Sequence, residues 1–242
     1  MTEIAPGVYA MGQREGGYVH AFLLESDDGL ILIDTLYDTD AGLILGQMKR
    51  MRRKAQDLKC ILLTHGHRSH LGGLAALKDL TGAKVYCHPS EKDIIEGKRT
   101  AQPVPISPMR PIRVYWPVYH LQLGAALGLG KHPPCKVDEP LGDRQRLEGG
   151  EQLGDIEVVY TPGHSPGHCA FYLPKHKVLF AGDAIVTYPV FAPGWPAFTL
   201  NPRQHLESLN KLAELDVEVV AVGHGEPIGG TKRRMLSLIG GG

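Results

Sequence analysis

Thr64-His65-Gly66-His67-Arg68-Ser69-His70 brings three histidines into six residues, directly behind the apolar run Ile61-Leu62-Leu63. Imidazole is the commonest side-chain ligand for zinc and similar divalent ions. Two histidines at i and i+2 beyond a strand end point the same way. A third at i+5 reaches round if the loop turns tightly, and Gly66 and Gly72-Gly73 supply the freedom to turn. Ser69 is the oddity, because a metal site would want a carboxylate there. The stretch thus predicts a buried strand that ends in a metal-binding loop.

Three further motifs follow apolar runs in the same way: Thr161-Pro162-Gly163-His164-Ser165-Pro166-Gly167-His168, Gly182-Asp183-Ala184 and Gly223-His224-Gly225. Loops at the ends of rigid strands are where sites are built. One such histidine is more often structural than a ligand. Four motifs of this kind make coincidence improbable.

The elements between the motifs read as two similar halves. In the first half, strands are expected over 8–11, 19–24 and 30–34, the last two joined by an Asp28-Gly29 turn. A helix over 39–53 takes Thr39 or Asp40 as N-cap. Strand 58–63 delivers the histidine cluster, followed by helix 74–80, strand 84–87 and a helix capped by Ser90 running to Glu96. In the second half, strands are expected over 156–160, 169–173, 178–181 and 217–222. A helix over 202–215 has Asn201 as N-cap and Pro202 at N1, with Leu206, Leu209, Leu212 and Ala213 on one face. The layout predicts two packed sheets with helices outside.

Residues 98–136 stand apart. Seven prolines interrupt them, yet they carry Val114, Tyr115, Trp116, Val118, Tyr119 and Leu121 and the apolar stretch 121–129. This segment is too apolar for a solvated linker. It reads as an excursion packed on its own domain, as a lid over a site, or as a dimer contact.

Bulk composition narrows the function classes. The chain has 242 residues, 43% hydrophobic, with 26 basic and 26 acidic residues. A neutral chain does not advertise nucleic acid or an anionic membrane as partner. The four cysteines form no C-x-x-C pair and read as free thiols. Met1-Thr2-Glu3-Ile4-Ala5-Pro6 has no charged n-region before an apolar stretch, and no apolar run reaches the roughly 18 residues of a membrane span. The expectation is a cytoplasmic, single-domain protein.

In order and spacing, the four motifs resemble the metallo-β-lactamase superfamily, in particular its glyoxalase II and lactonase-like dinuclear hydrolases. The resemblance runs from Leu32-Ile33-Asp34-Thr35 to Gly223-His224-Gly225-Glu226-Pro227-Ile228. It implies an α+β fold, a four-layer αββα sandwich, with two metals in a groove at one edge of the sheets. Carried over, His65, His67 and His164 would hold the first metal, His70 and His224 the second, and Asp183 would bridge them. Zinc suits such a set, as do iron, manganese or cobalt. The implied chemistry is hydrolysis by a metal-bound hydroxide formed at neutral pH, with no serine or cysteine nucleophile. The reacting centre would involve Asp183, His70, Ser69 and Tyr188.

Ser69 departs from the family pattern His-x-His-x-Asp-His, whose Asp ligates the second metal. A neutral serine cannot replace that charge. The second site is then weaker but occupied, or empty, or the protein is a poorly active or non-catalytic metal-binding member. Retention of His70, Asp183 and His224 favours the first. Asp34 is a partner for a metal histidine or a strand-end turn cap, and His168 takes a structural or supporting role. His20, His88, His120, His132, His176 and His205 read as structural, with His120 and Tyr119 the best of the rest for substrate contact.

The substrate class follows by demotion within the resemblance. Cysteine-ligated β-lactamases carry Cys where this chain has Asp183. Diiron oxygen reductases carry carboxylates inside the first motif and a flavin domain. Nuclease members add a domain and a basic surface. Lactonases have a Tyr three residues after the bridging Asp, where this chain has Val186, although Tyr188 is near. Glyoxalase II members add a C-terminal helical domain, whereas this sequence ends soon after Pro227. A small apolar ester, lactone or phosphotriester remains, with thioesters and β-lactams behind. Tyr115, Trp116, Tyr119, Tyr188, Phe191, Trp195 and Phe198 are candidates for an apolar pocket wall. The expected partner is a small molecule, with neither nucleic acid nor membrane, and a homodimer through 98–136 is open.

Overall fold

The computed structural model describes residues 1–129, 131–229 and 237–238. Its first sheet has seven strands in chain order: β1 (Thr2–Ala5), β2 (Val8–Gln13), β3 (Val19–Ser26), β4 (Gly29–Ile33), β5 (Leu58–Leu62), β6 (Lys84–Cys87) and β7 (Glu139–Pro140). β1 to β4 pair antiparallel, and β4 to β7 pair parallel. The second sheet has six: β8 (Arg146–Leu147), β9 (Ile156–Tyr160), β10 (Cys169–Leu173), β11 (Val178–Gly182), β12 (Val219–Val222) and β13 (Ile228–Gly229), again adjacent in chain order.

Both faces of the central strands are buried, which is why they read as continuous apolar runs rather than alternating ones. Side chains still alternate in direction. On β3 and β4, Phe22, Leu24, Ile31 and Ile33 meet Val158, Phe171 and Phe180 of the second sheet. Leu23, Leu30 and Leu32 point the other way, toward Ile44 and Met48 of helix Gly42–Arg50 and Leu74 and Leu77 of helix Leu74–Thr81. The outer face of the second sheet packs Leu179 and Val220 against Leu209 and Leu212 of helix Pro202–Ala213. The layers are α, β, β, α, as the resemblance implied. No helix among the described residues is long and apolar enough to cross a membrane.

Helix boundaries differ from the sequence expectation where caps were misjudged. The helix expected from Thr39 begins at Gly42, because Ala41 adopts a left-handed backbone (φ 55°), and Asp40 Oδ1 accepts from the Gly42 N–H at 2.9 Å. Ser90 is not a cap: the helix is Pro89–Ile95, and the His88 imidazole accepts the Ser90 N–H at 3.2 Å, with Pro89 in the first turn. On helix Pro202–Ala213 the buried face is His205, Ser208, Leu209, Leu212 and Ala213, while Leu206 is 43% exposed. Ser208 belongs inside because its hydroxyl donates to the Pro162 carbonyl at 2.7 Å. That bond seats the helix on the loop carrying His164.

Residues 98–136 divide between two clusters: Cys135 joins the core of the first sheet, while the middle of the segment packs near the site. Met109, Tyr115 and Val118 pack with Val186, Ala192 and Trp195 of the loop after β11. Gln122, fully buried, donates to the Pro105 and Ser107 carbonyls and accepts from the Met109 N–H. One amide thus ties the proline-rich stretch to helix Tyr119–Ala126.

Candidate metal centre

The site is built where β4, β5, β9, β11 and β12 end. Asp34 follows β4, the three-histidine loop follows β5, His164 follows β9, Asp183 follows β11 and His224 follows β12. The His20 N–H donates to the Gly223 carbonyl at 2.8 Å, joining the two sheets beside this edge.

His65, His67, His164 and Asp183 form one group able to hold a metal ion, and His70, Asp183 and His224 form another. The ligand atoms are already turned toward each other. His65 Nε2 lies 3.0 Å from His67 Nδ1, and His164 Nε2 lies 2.9 Å from the same atom. Asp183 Oδ2 is 3.5 Å from His164 Nε2 and 3.8 Å from His65 Nε2. In the second group, His70 Nε2 is 3.3 Å from Asp183 Oδ1, and His224 Nε2 is 3.3 Å from Oδ2. Ligands around a tetrahedral ion with bonds of about 2.0–2.1 Å sit roughly 3.3 Å apart. His70 Nε2 and Asp183 Oδ1 are buried and have no hydrogen-bond partner. Orphaned buried polar atoms are costly unless something else satisfies them, and a cation between them would. The residues present fit a divalent ion in each group.

The remaining ring nitrogens fix which atom faces inward. His224 Nδ1–H donates to the Gly17 carbonyl at 2.9 Å. His70 Nδ1–H donates to Asp34 Oδ2 at 2.8 Å. His65 Nδ1–H donates to Thr64 Oγ1 at 3.0 Å, and that hydroxyl donates onward to Asp34 Oδ2 at 2.8 Å. The Thr64 N–H donates to Asp34 Oδ1. Asp34 is thus bound to both groups, directly through His70 and through Thr64 for His65. Partners of this kind set the tautomer and raise ligand basicity. His168 supports the shared carboxylate: its Nε2 accepts the Asp183 N–H at 3.1 Å, and its Nδ1–H donates to Thr161 Oγ1 at 2.8 Å.

Electrostatics follow from burial. Burial keeps His65 and His164 neutral, well below the usual imidazole range, and lowers His67 to about 4 and His168 to about 3. Burial also opposes a proton on His70, but Asp183 and Asp34 outweigh it and raise that group to about 10 in the metal-free chain. Burial would raise the Asp183 carboxyl, yet His224 and His70 hold it well below the carboxylate range. The centre is a fixed anion ringed by imidazoles, and a proton at His70 competes with a cation.

Ser69 lies in the short 3₁₀ turn Arg68–His70 and is partly buried. The turn is anchored by its neighbours. Arg68 donates to the Tyr37 carbonyl at 2.7 Å and lies over the Tyr37 ring, and Thr35 donates to the His70 carbonyl through both N–H and hydroxyl. Of the seven aromatic wall candidates, two touch the histidines. Trp195 stacks on His224 at 4.2 Å between ring centroids, and Phe198 meets His67 edge-on at 6.0 Å. Tyr188 packs on Tyr18, and its carbonyl accepts the Trp195 indole N–H at 2.8 Å. Tyr115 is buried in the 98–136 cluster, Phe191 packs toward helix Pro202–Ala213, and Trp116 is 67% exposed, stacked on Tyr119. His120 is exposed.

Two contributors escaped the sequence reading. Gln102 brings its amide within 3.1 Å of His67 Nε2 and donates to the His164 carbonyl at 3.3 Å, so residues 98–136 reach the site. Glu91, 1% exposed, accepts the Gly66 N–H at 2.9 Å, the Ser165 hydroxyl at 2.8 Å and the Gly167 N–H at 2.7 Å. One buried carboxylate therefore clamps the His65–His70 loop to the His164 loop. Its signal in the sequence was spacing: Ile94 and Ile95 follow it at i+3 and i+4, on the same buried helix face.

Comparison with known proteins agrees with this geometry. The family model for the metallo-beta-lactamase superfamily matches residues 14–224. The probable metallo-hydrolase YflN of Bacillus subtilis (strain 168) is 28% identical over 96% of this chain and 89% of its own length. The hydroxyacylglutathione hydrolase of Rhodobacter capsulatus is 28% identical over 79% of this chain, which spans 57% of that relative. TTHA1623, solved in a di-iron-bound form, is 27% identical with a TM-score of 0.68, covering 93% of this chain and 96% of that one. With most of its length matched and the layers and strand-end histidines in place, the chain belongs to the metallo-beta-lactamase superfamily.

Proposed function

We propose that this chain is a metal-dependent hydrolase of a small apolar ester, lactone or phosphotriester. The observation that carries the reading is the pair of donor groups that overlap at Asp183. His65, His67, His164 and Asp183 would hold one divalent ion, and His70, Asp183 and His224 a second. Bound divalent ions supply Lewis acidity and make a water acidic enough to ionise near neutral pH. The protein's part is to keep its ligands correctly turned, through Asp34, Thr64, the Gly17 carbonyl and His168. Trp195 and Phe198 give an apolar wall that keeps bulk water from one side. Tyr188 steadies that wall through its carbonyl. Zinc fits the donor set, as do iron, manganese and cobalt.

The two groups are unequal. The first has three histidines and the shared aspartate; the second has two and the same aspartate, with Ser69 in place of a carboxylate. We therefore assign the second ion the lower affinity. The same serine supports a second reading, a metal-binding member with little or no turnover. The test is to strip the protein of metal, reload it with zinc, manganese or iron, and assay an aryl ester, an aryl lactone and an aryl dialkyl phosphate. Thioester and β-lactam substrates complete the panel. Turnover that returns with metal and is lost in Asp183→Asn supports the hydrolase. Two bound ions with no turnover of any substrate favours the second reading.

A further inference from the structure

Chain-wide neutrality hides a strong segregation of charge. Between Glu96 and Asp138 there is no acidic residue, yet Lys98, Arg99, Arg110, Arg113, Lys131 and Lys136 all fall there. All six are exposed. Lys98 pairs with Glu96; Arg110, Arg113, Lys131 and Lys136 have no ion pair among the described residues.

The same segment exposes large apolar side chains: Ile106, Ile112, Trp116, Leu127 and Leu129. They sit on a built framework. Trp116 stacks on Tyr119, whose hydroxyl donates to the Ile106 carbonyl, while Gln122 pins residues 105–109 to helix Tyr119–Ala126. Ile112 is one helical turn from Tyr115 and shares a short helix with Arg113. Exposed apolar side chains interleaved in sequence with cations, with the Trp116 ring among them, have a definite chemical complement.

From this combination we infer that the 98–136 face docks on an anionic lipid surface. Trp and Tyr rings favour the boundary between headgroups and acyl chains. Aliphatic side chains enter the upper acyl region, and lysines and arginines meet the anionic headgroups. A second copy of the chain fits less well. In a two-fold interface the same patch faces itself, which would bring unpaired arginines of both copies together. Nucleic acid would satisfy the charge but not the exposed Ile and Leu side chains. The inference stands apart from the hydrolase reading, since it requires no metal and no turnover.

The test is co-sedimentation of the full chain with vesicles of phosphatidylcholine alone or mixed with phosphatidylserine, alongside tryptophan emission. Only Trp116 of the two tryptophans is exposed, Trp195 being 4% exposed, so a blue shift reports this face. Binding is expected to the serine-containing vesicles and to weaken with salt. Each cation near an anionic bilayer contributes roughly fivefold in partitioning, so Arg110→Gln with Arg113→Gln should lower it about 25-fold. Trp116→Ala should lower it about tenfold or more, and circular dichroism should show both variants folded. The inference is overturned by equal binding to both vesicle types, by no binding to either, or by a concentration-dependent dimer that Trp116→Ala abolishes without any vesicle binding.

Discussion

Replacing Asp34 with Asn tests whether the site depends on a fixed imidazole tautomer. Asp34 has a left-handed backbone (φ 57°), which Asn adopts more readily than most residues, so the fold around it should hold. Its Oδ1 accepts the Thr64 N–H at 2.9 Å, and its Oδ2 accepts from both the Thr64 hydroxyl and His70 Nδ1–H at 2.8 Å. In the Asp34→Asn variant the amide oxygen is required at the Thr64 N–H, so the amide nitrogen faces His70. Two donors cannot face each other, so the one proton that a neutral, metal-binding His70 keeps on Nδ1 is forced to Nε2 in the variant. That atom lies 3.3 Å from Asp183 Oδ1. A proton held at that position blocks the cation.

The size of the effect follows from the bond that is lost. A hydrogen bond to a charged group contributes about 1.5–3 kcal/mol, which corresponds to roughly a ten- to hundredfold loss of affinity, in the range of other supporting-residue changes at metal sites. The opposite amide orientation does not avoid it, because the Thr64 N–H would then be buried unpaired at about 1–3 kcal/mol. The first group should suffer less, since the Thr64 hydroxyl can still accept from His65. Stepwise zinc titration against a competing chelator, with metal content by mass spectrometry, measures both affinities. Equal losses at the two sites, or none, would refute the tautomer argument.

Three other outcomes follow from the same geometry. Glu91→Ala should leave the Gly66 N–H, the Ser165 hydroxyl and the Gly167 N–H without their acceptor, each costing about 1–3 kcal/mol, so the melting temperature should fall sharply; a fall of under about 2 °C, less than even 1 kcal/mol gives in a chain of this size, would remove Glu91 as a clamp. Ser69→Asp should tighten the weaker ion by about tenfold or more through added ligand charge, and an unchanged second affinity would mean that position 69 does not face the site. Burial lowers His20 to about 4 and His168 to about 3. The unfolded chain, with histidines near 6.5, takes up protons first as pH falls. Their contribution is therefore complete above about 6.5 and lost toward 4 and 3, at up to about 1.4 kcal/mol per pH unit per group. Urea unfolding of the metal-free protein should show stability falling over that window, and a flat profile would exclude it.

Much of the site was legible because its donors follow apolar strands. A polar residue behind a run such as Leu58–Leu62 or Val178–Gly182 must leave the core at that point, so the ligand loops stand out in one dimension. What holds those loops together is less visible. Glu91 is remote in sequence from the glycine and serine it clamps, and in Pro89-Ser90-Glu91-Lys92-Asp93 it looks like one more surface charge. On helix Pro202–Ala213, counting hydrophobes selects Leu206, whereas packing selects His205 and Ser208. A side chain at Gly163 would collide with the His205 backbone, so the helix sits directly on the loop, and Ser208 finds its acceptor there. Polar burial of this kind depends on a partner, and single-sequence hydropathy carries no partner.

The anchoring of the Arg68–His70 turn bears on what Ser69 does. If a carboxylate at that position were needed to form the turn, its absence should disturb the delivery of His70. The turn is instead held from outside: Arg68 reaches the carbonyls of Tyr37 and Lys131, and Thr35 bonds twice to the His70 carbonyl. His70 is oriented by Asp34, not by its neighbour in the chain. On the function proposed above, serine at 69 lowers the negative charge available to the second group without moving the residues that remain. Loss of one charge from a pre-formed group weakens a cation's hold more than it changes geometry. That separation makes Ser69→Asp and Asp34→Asn complementary: one adds charge at fixed geometry, the other alters a tautomer at a fixed backbone. If charge and tautomer act independently, their effects on the second affinity should add within about 0.5 kcal/mol in the double variant. A larger deviation would mean that the carboxylate introduced at position 69 takes over the orientation of His70.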